Sequence, residues 1–442
     1  MSHDIHLHHI TRVEGHGNIV LNIREGRIEE LRLEIVESPR FFEVMVKGRH
    51  ITEAPHITSR ICGICAISHT SASVKACEAA LGITPSDTVV LLRKILLNAE
   101  TLQSHILHLY LLVAPDFFRV GSVIPLAKTH PDIVKRGLRL KKTANEICRI
   151  LVGRHVHPIG MTIGGFTKMP TQKDLQEVRK VVEAAIPDME ETVRLFEGLE
   201  IPEFNRETRY CSLRDENEYA LYDGRLYSKD TPLTEVNQYR EFTTEEVIEY
   251  STAKHVRSGD SSIMVGALAR LNNNHAHLLP EAKEAAAQLG LSLPCTNPFM
   301  NNAAQVVESV HSIYDSLRLL DLLSSDPLSP SSNQAGTELN SVPPGMAEIP
   351  IRAGLGVGVV EAPRGTLYHE YGVDERGMIQ SVNCIIPTAQ NLANIEKDIR
   401  AIVPMILGLP KEEIERTLEM LTRAYDPCIS CSTHFLEVKF VE

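Results

Sequence analysis

Arg60-Ile61-Cys62-Gly63-Ile64-Cys65, with His69 four residues beyond, and Asp426-Pro427-Cys428-Ile429-Ser430-Cys431, with His434 three residues beyond, repeat one pattern at opposite ends of a 442-residue chain. A C-x-x-C pair lets the backbone turn back and set two thiolates on one metal. Two such pairs make a four-thiolate site suited to zinc, iron or nickel. Structural zinc modules keep their pairs about 12–20 residues apart, so that the metal stands in for a small core. Here nearly the whole chain lies between them, so the fold must bring both ends to a common point. On spacing alone, a zinc clamp joining the termini and a redox metal centre are both open.

Composition narrows the class. Hydrophobic residues at 43% suffice for a large core, and with no Trp and 5% aromatics that core is built from Leu, Ile, Val and Ala. A formal net charge of −12 argues against nucleic acid as the main partner and suits a cytoplasmic protein. Nine cysteines are too few and too scattered for a disulfide scaffold. Outside the pairs, the Cys77, Cys148, Cys211, Cys295 and Cys384 thiols read as buried and structural. They form no cluster able to hold iron and sulfide, so electrons leaving this chain must pass to another subunit. Met1-Ser2-His3-Asp4 lacks the start of a secretory signal. Val89 to Val113, the most apolar long stretch, carries Arg93, Lys94, Glu100, Gln103, His105 and His108, which fits a buried or interfacial helix and no direct membrane span. His3, His6, His8 and His9 alternate like a strand rather than a metal site.

The patterning predicts an α+β, mainly α unit over residues 1–442, with long helices bundled beside small β-hairpins. Residues 5–36 read as a hairpin, with Glu25-Gly26 as its turn. Helices are expected over 41–47, 68–81, 87–113, 131–155 and 171–198, the last three forming a bundle within 87–200. Residues 200–245 read as an irregular or β insert, and helices resume at 243–257, 276–289 and 298–324. Ser325 to Gly345 is a loop by composition. A β region over 350–386 contains a strand at 357–361 and a hairpin from 366–373 with 378–386. Two helices, 388–407 and 410–424, then deliver the second cysteine pair within a 388–434 tail.

With its flanking motifs, the pattern resembles the large, catalytic subunit of the nickel–iron hydrogenases, in their compact, soluble, multi-subunit branch. The likeness rests on R-x-C-G-x-C-x-x-x-H at 60–69 and D-P-C-x-x-C-x-x-H at 426–434. It is supported by Arg12-Val13-Glu14-Gly15-His16 and by Ala362-Pro363-Arg364-Gly365. The resemblance implies an enzyme for reversible dihydrogen oxidation at a nickel–iron centre whose iron carries carbon monoxide and cyanide. It assigns Cys62, Cys65, Cys428 and Cys431 to nickel, with Cys65 and Cys431 bridging to iron. It makes Glu14 the proton relay beside Cys428, leaving His16 to orient the turn. Arg364 lies over the open metal face with Asp426 as its paired carboxylate. His69 hydrogen-bonds a ligand sulfur, that of Cys431, and backbone groups near Pro363 and Thr388 approach the iron's diatomic ligands.

For a second, hard metal the resemblance implies Glu43, the Cys384 carbonyl and His434, binding Mg2+ or, as the alternative, iron. It implies a small iron–sulfur partner subunit and further modules linked to NAD(P), flavin or ferredoxin. Many relatives lose a C-terminal extension after the final His. Here Phe435 to Glu442 follows, so an unprocessed chain and a member that keeps its tail are both admissible. A scaffold subunit that kept the fold and lost the metals, as in respiratory complex I, is the different-class alternative, and retention of all four cysteines argues against it.

Overall fold

The computed structural model describes residues 3–7, 10–325 and 349–433. His434, the 435–442 tail, the side chains of the early histidines and nearly all of the expected loop at 325–345 lie outside the described residues.

The N-terminal segment forms a three-stranded antiparallel sheet of β1 (His3–Leu7), β2 (Gly17–Arg24) and β3 (Arg27–Ile35). Glu25 and Gly26 both take positive φ, 51° and 76°, as the tight turn between two right-twisted strands requires. Ile19, Leu21 and Ile23 point inward at every second position.

The helices fall largely where the periodicity predicts them. α1 (Ala66–Leu81) ends at Gly82 in the left-handed conformation, and α2 (Asp87–Leu107) is capped by Ser86, whose side chain accepts the Val89 N–H. α2 continues as a π-turn, His108–Val113. α3 (Pro131–Val152) ends at Gly153. The expected helix over 171–198 is two, α4 (Gln172–Glu183) and α5 (Ile186–Glu197), because Pro187 has no N–H to continue the ladder. The helix expected at 243–257 is not formed. Thr244–Glu246 and His255–Ser258 are instead paired antiparallel strands, joined by Arg257 Nε to Glu246 Oε2 at 2.8 Å and by a fully buried Val256. Strand partners and burial override the helical propensity of the Glu-rich run. The later helices are α6 (Ala267–Asn274), Pro280–Gln288 and α7 (Asn301–Ser325).

A second antiparallel sheet contains β4 (Gly354–Ala362), β5 (Gly365–Val373) and β6 (Ile379–Ile385), followed by α8 (Pro387–Ile406) and α9 (Lys411–Ala424). The whole is α+β and mainly α. One hydrophobic cluster runs from Ile10 through α2, α3 and α7 to Cys431. None of the described helices is long and apolar enough to cross a membrane.

Two features of packing position the site. Gly354, Gly356 and Gly358 lie on one face of β4, against the backbone at Ala80, Ala76 and Ala72 of α1. A methyl group on any of them would strike a carbonyl oxygen of the helix, so the helix that follows the first cysteine pair rests directly on the strand. Gly358→Ala should cost about 1–3 kcal/mol, read as a lowered denaturation midpoint. An unchanged midpoint would mean that this contact is loose. The second feature is α2, buried on nearly all sides despite Arg93, Asn98, Glu100, Gln103, Ser104 and His105. Each finds a polar partner: Arg93, for example, forks onto Glu78 of α1 at 2.7 and 3.0 Å.

Candidate metal centre

The first cysteine pair sits where a short turn at Ser59–Ile61 meets the N-terminus of α1. Cys62 is extended, and its Sγ accepts the N–H groups of Ile64 at 3.3 Å and Cys65 at 3.2 Å. Gln103 of α2 braces the loop through the Ile64 carbonyl at 2.9 Å. Inward-turned amides and a helix N-terminus favour thiolate over thiol.

The second pair arrives from α9. Asp426 adopts φ 50°, an uncommon conformation for a non-glycine residue, and turns the chain into Pro427-Cys428. Thr388 Oγ1 accepts the Cys428 N–H at 2.9 Å. Glu14 then runs alongside as an isolated parallel bridge to Cys428, its carbonyl accepting the Ile429 N–H at 2.8 Å. Gly15, at φ 88°, has no room for a side chain: a Cβ would lie 2.7 Å from Ile429 Cβ and 2.9 Å from Ser430 N. The strained Arg12, φ 57°, is tied to the Leu112 carbonyl at 2.7 Å and to Asp116, which Arg423 also holds at 2.7 Å. These bonds clamp the Glu14 segment to the C-terminal arm.

The four cysteines converge. Their sulfurs all lie within 4.8 Å of one another, all four residues are buried, and Cys62 Sγ is 3.7 Å from Cys428 Sγ. A metal about 2.3 Å from each of two tetrahedral thiolates separates them by nearly that distance. Hydrogen bonds from Cys428, Cys431 and Cys65 hold the Cys62 thiol well below its ordinary pKa. Bonds to Cys428, Cys62 and Cys65, then burial, push Cys431 well above. Four thiolates packed this closely in a buried site need a multivalent cation among them. The donor set is soft, dry and fits a thiolate-loving metal.

Charged groups surround the cluster. Glu14 Oε2 accepts from Cys428 Sγ and from Ser430 N, both at 3.1 Å. Arg364 donates from Nη2 to Asp426 Oδ1 at 2.9 Å, from Nε to the Asp426 carbonyl at 2.7 Å, and from Nη1 to Ser104 Oγ at 3.1 Å. Burial works against the Arg364 charge, but Asp426 and the sulfurs of Cys428, Cys65 and Cys62 outweigh it and hold the guanidinium pKa well above its usual value. Gln305 reaches the other Asp426 oxygen at 3.1 Å.

The remaining expected residues are placed as follows. His69 Nδ1 meets His369 Nε2 at 3.1 Å, and His369 Nδ1 meets the Tyr371 hydroxyl at 2.7 Å. The Pro363 carbonyl accepts from Arg270 at 3.0 Å. Glu43 Oε1 accepts the Cys384 N–H at 2.9 Å, so those two meet, while His434 lies outside the described residues. His16 Nδ1 contacts Glu37 Oε1 at 2.9 Å at the surface. Of the other cysteines, Cys77, Cys148, Cys211 and Cys384 are buried and Cys295 half-buried.

Sequence reasoning missed Glu100. Its carboxylate accepts the Ile67 N–H at 2.6 Å, the Ser68 N–H at 2.8 Å and the Ser68 hydroxyl, fixing the first turn of α1 directly after Cys65. Burial pushes its pKa up to about 8, against the Ser68 and Ile67 bonds and with the Cys62 charge adding to the rise. A raised carboxyl favours the fold below its unfolded value of 4.5, and that contribution is lost as pH rises through about 8. The unfolding free energy from urea titrations should therefore fall across this window, by about 5 kcal/mol at most, and Glu100→Gln should flatten the slope. An identical slope in that variant would assign it to other groups.

Comparison with known proteins points one way. The nickel-dependent hydrogenase family model matches residues 40–132 and 190–434. The chain is 34% identical over 437 residues to sulfhydrogenase 1 subunit alpha of Pyrococcus furiosus, covering 98% of each chain. It is 29% identical to the NAD-reducing hydrogenase HoxS subunit beta of Cupriavidus necator, covering 99% of this chain and 96% of that one. The solved structure of an NAD+-reducing NiFe hydrogenase in the H2-reduced state superposes with a TM-score of 0.84 at 26% identity, covering 98% of this chain and 99% of that one.

Proposed function

The chain belongs to the nickel-dependent hydrogenase family, and we propose that it is the catalytic subunit of a nickel–iron hydrogenase that interconverts dihydrogen with two protons and two electrons. The observation that carries this reading is the Glu14 carboxylate, 3.1 Å from Cys428 Sγ at the edge of a buried four-thiolate cluster. Bound nickel and iron, the iron with its carbon monoxide and cyanide, would supply the redox-active pair that polarises dihydrogen. The protein's own groups do the rest. Cys62, Cys65, Cys428 and Cys431 would hold nickel, with Cys65 and Cys431 also available to iron. The Cys428 sulfur takes the proton and passes it to Glu14 Oε2. A carboxylate suits this step because it accepts at one sulfur and releases toward solvent without leaving its place.

Arg364, pinned by Asp426, keeps a positive charge on the open face of the cluster, where a desolvated guanidinium acts strongly on a small substrate. His69 would support a ligand sulfur, and the backbone near Pro363 and Thr388 would approach the iron's ligands. Glu43, the Cys384 carbonyl and His434 would hold Mg2+, or iron in its place. The five other cysteines are dispersed singly, which supports passage of electrons to a separate iron–sulfur subunit and on to an NAD(P)-, flavin- or ferredoxin-linked module in the cytoplasm. The two curated relatives named above are themselves subunits of larger enzymes.

Metal analysis of the purified complex, with dihydrogen-dependent reduction of a viologen dye, tests the assignment. Nickel at about one per chain, iron beyond what the partner subunit holds, and turnover are expected. Zinc in the four-cysteine site, or no metal with no turnover, would overturn it.

A further inference from the structure

Arg364 is held on one side by Asp426. On the other, its backbone is held by a second buried arginine. Arg270, in α6, donates from Nη1 to the Ala362 carbonyl at 2.9 Å and from Nη2 to the Pro363 carbonyl at 3.0 Å, the two residues that lead into Arg364. The same guanidinium forks onto Glu308 of α7, with Nε–Oε1 and Nη2–Oε2 both 2.6 Å, and reaches Glu361 Oε2 at 3.0 Å. Its five N–H donors are thereby all used, and Arg270, Glu308 and Glu361 are each 1% exposed or less. The first turn of α6 is also linked, through Asn301, to the chain just before Asp426. Asn301 accepts the Leu268 N–H at 2.9 Å and donates to the Ala424 carbonyl at 2.7 Å, two residues before Asp426. Gly266, at φ 113°, lets the chain pass so close that a Cβ there would lie 3.3 Å from the Arg364 carbonyl.

We propose that Arg270 is a positioning residue for Arg364: it fixes the Ala362–Pro363 backbone so that the Arg364 guanidinium meets Asp426 beside the cysteine cluster. A cation present only to neutralise Glu308 would need no bonds to two main-chain carbonyls. The planar fork spans two carboxylates and two carbonyls at once, whereas lysine gathers its donors on one nitrogen. The chemistry served rests on the hydrogenase reading; the contacts do not.

Two variants test this in the purified complex. Arg270→Lys keeps the charge but not the fork. Arg270→Met with Glu308→Gln removes the fork and leaves the net charge of the buried group unchanged. Amide hydrogen exchange over residues 362–366 should quicken by about an order of magnitude in each, with the rest of the core protected as before. Viologen-linked turnover should fall by about 10²-fold, with carbon monoxide and cyanide infrared bands that shift or broaden. Unchanged protection at 362–366, or wild-type turnover in either variant, overturns the proposal. Loss of protection throughout both variants also overturns it, because Arg270 would then serve the core at large. If the wild-type complex itself shows no such bands, the hydrogenase reading fails, and the exchange data still decide what Arg270 does.

Discussion

Glu14→Gln should slow dihydrogen oxidation by about 10²–10⁴-fold while leaving nickel, iron and fold in place. Glutamine has the length and shape of glutamate, and its Oε1 can still accept the Ser430 N–H that Glu14 accepts at 3.1 Å. The parallel bridge to Cys428 is made by the main chain and does not depend on the side chain. What glutamine lacks is the capacity to take a proton at the position 3.1 Å from the Cys428 sulfur and give it up again. The loss should therefore fall on proton exchange with solvent. Exchange of deuterium gas with water protons should collapse, while ortho–para conversion of dihydrogen, which needs no proton to leave the site, should persist. Glu14→Asp retains the carboxylate but shortens its reach by one methylene, and its turnover should lie between. Wild-type turnover in Glu14→Gln would reduce Glu14 to a brace for the C-terminal arm.

Cys431→Ser should abolish turnover altogether and strip the site of nickel and iron together. Cys431 lies at 2% exposure within the cluster, and the proposed function makes it a ligand to both metals. A serine hydroxyl is a hard donor that does not ionise near neutral pH, so the soft four-donor set becomes a three-thiolate remnant. The chain should remain folded. The C-terminal arm keeps its bonds from the Cys428 N–H to Thr388, from the Ile429 N–H to the Glu14 carbonyl and from Arg364 to Asp426, none of which involves Cys431. Circular dichroism should match wild type while metal content falls to background. A variant that kept both metals would remove Cys431 from the bridging position.

The sequence carried this site in local form. Each cysteine pair, the Glu14-Gly15 stretch and the Pro363-Arg364 step are motifs only a few residues long, so their spacing is visible without a fold. The same holds for the helices that begin at Ser86 or end at Gly82 and Gly153, where a cap or a glycine marks the boundary. Features depending on distant partners were hidden. Thr244–Glu246 looks helical until His255–Ser258 is laid beside it. Arg270, outside every helix the sequence predicts, and Glu308, within one, become a buried fork only when α6 and α7 meet over the Ala362–Pro363 turn. Glu100 and Asp116 are hidden in the same way. The glycines at 354, 356 and 358 do carry a signal, a period of two matched to alanines four apart at 72, 76 and 80. That signal has meaning only once the strand is known to lie on α1.

The central claim, that this thiolate cluster holds a nickel–iron centre which works on dihydrogen, is tested most directly by infrared spectroscopy of the purified complex. Metal-bound carbon monoxide and cyanide stretches are expected, and they should shift when the sample is placed under dihydrogen. Neither a four-cysteine zinc clamp nor an ordinary iron–sulfur protein gives that pattern. A fully assembled complex with no such bands would contradict the catalytic assignment and leave the chain as a scaffold of the hydrogenase fold.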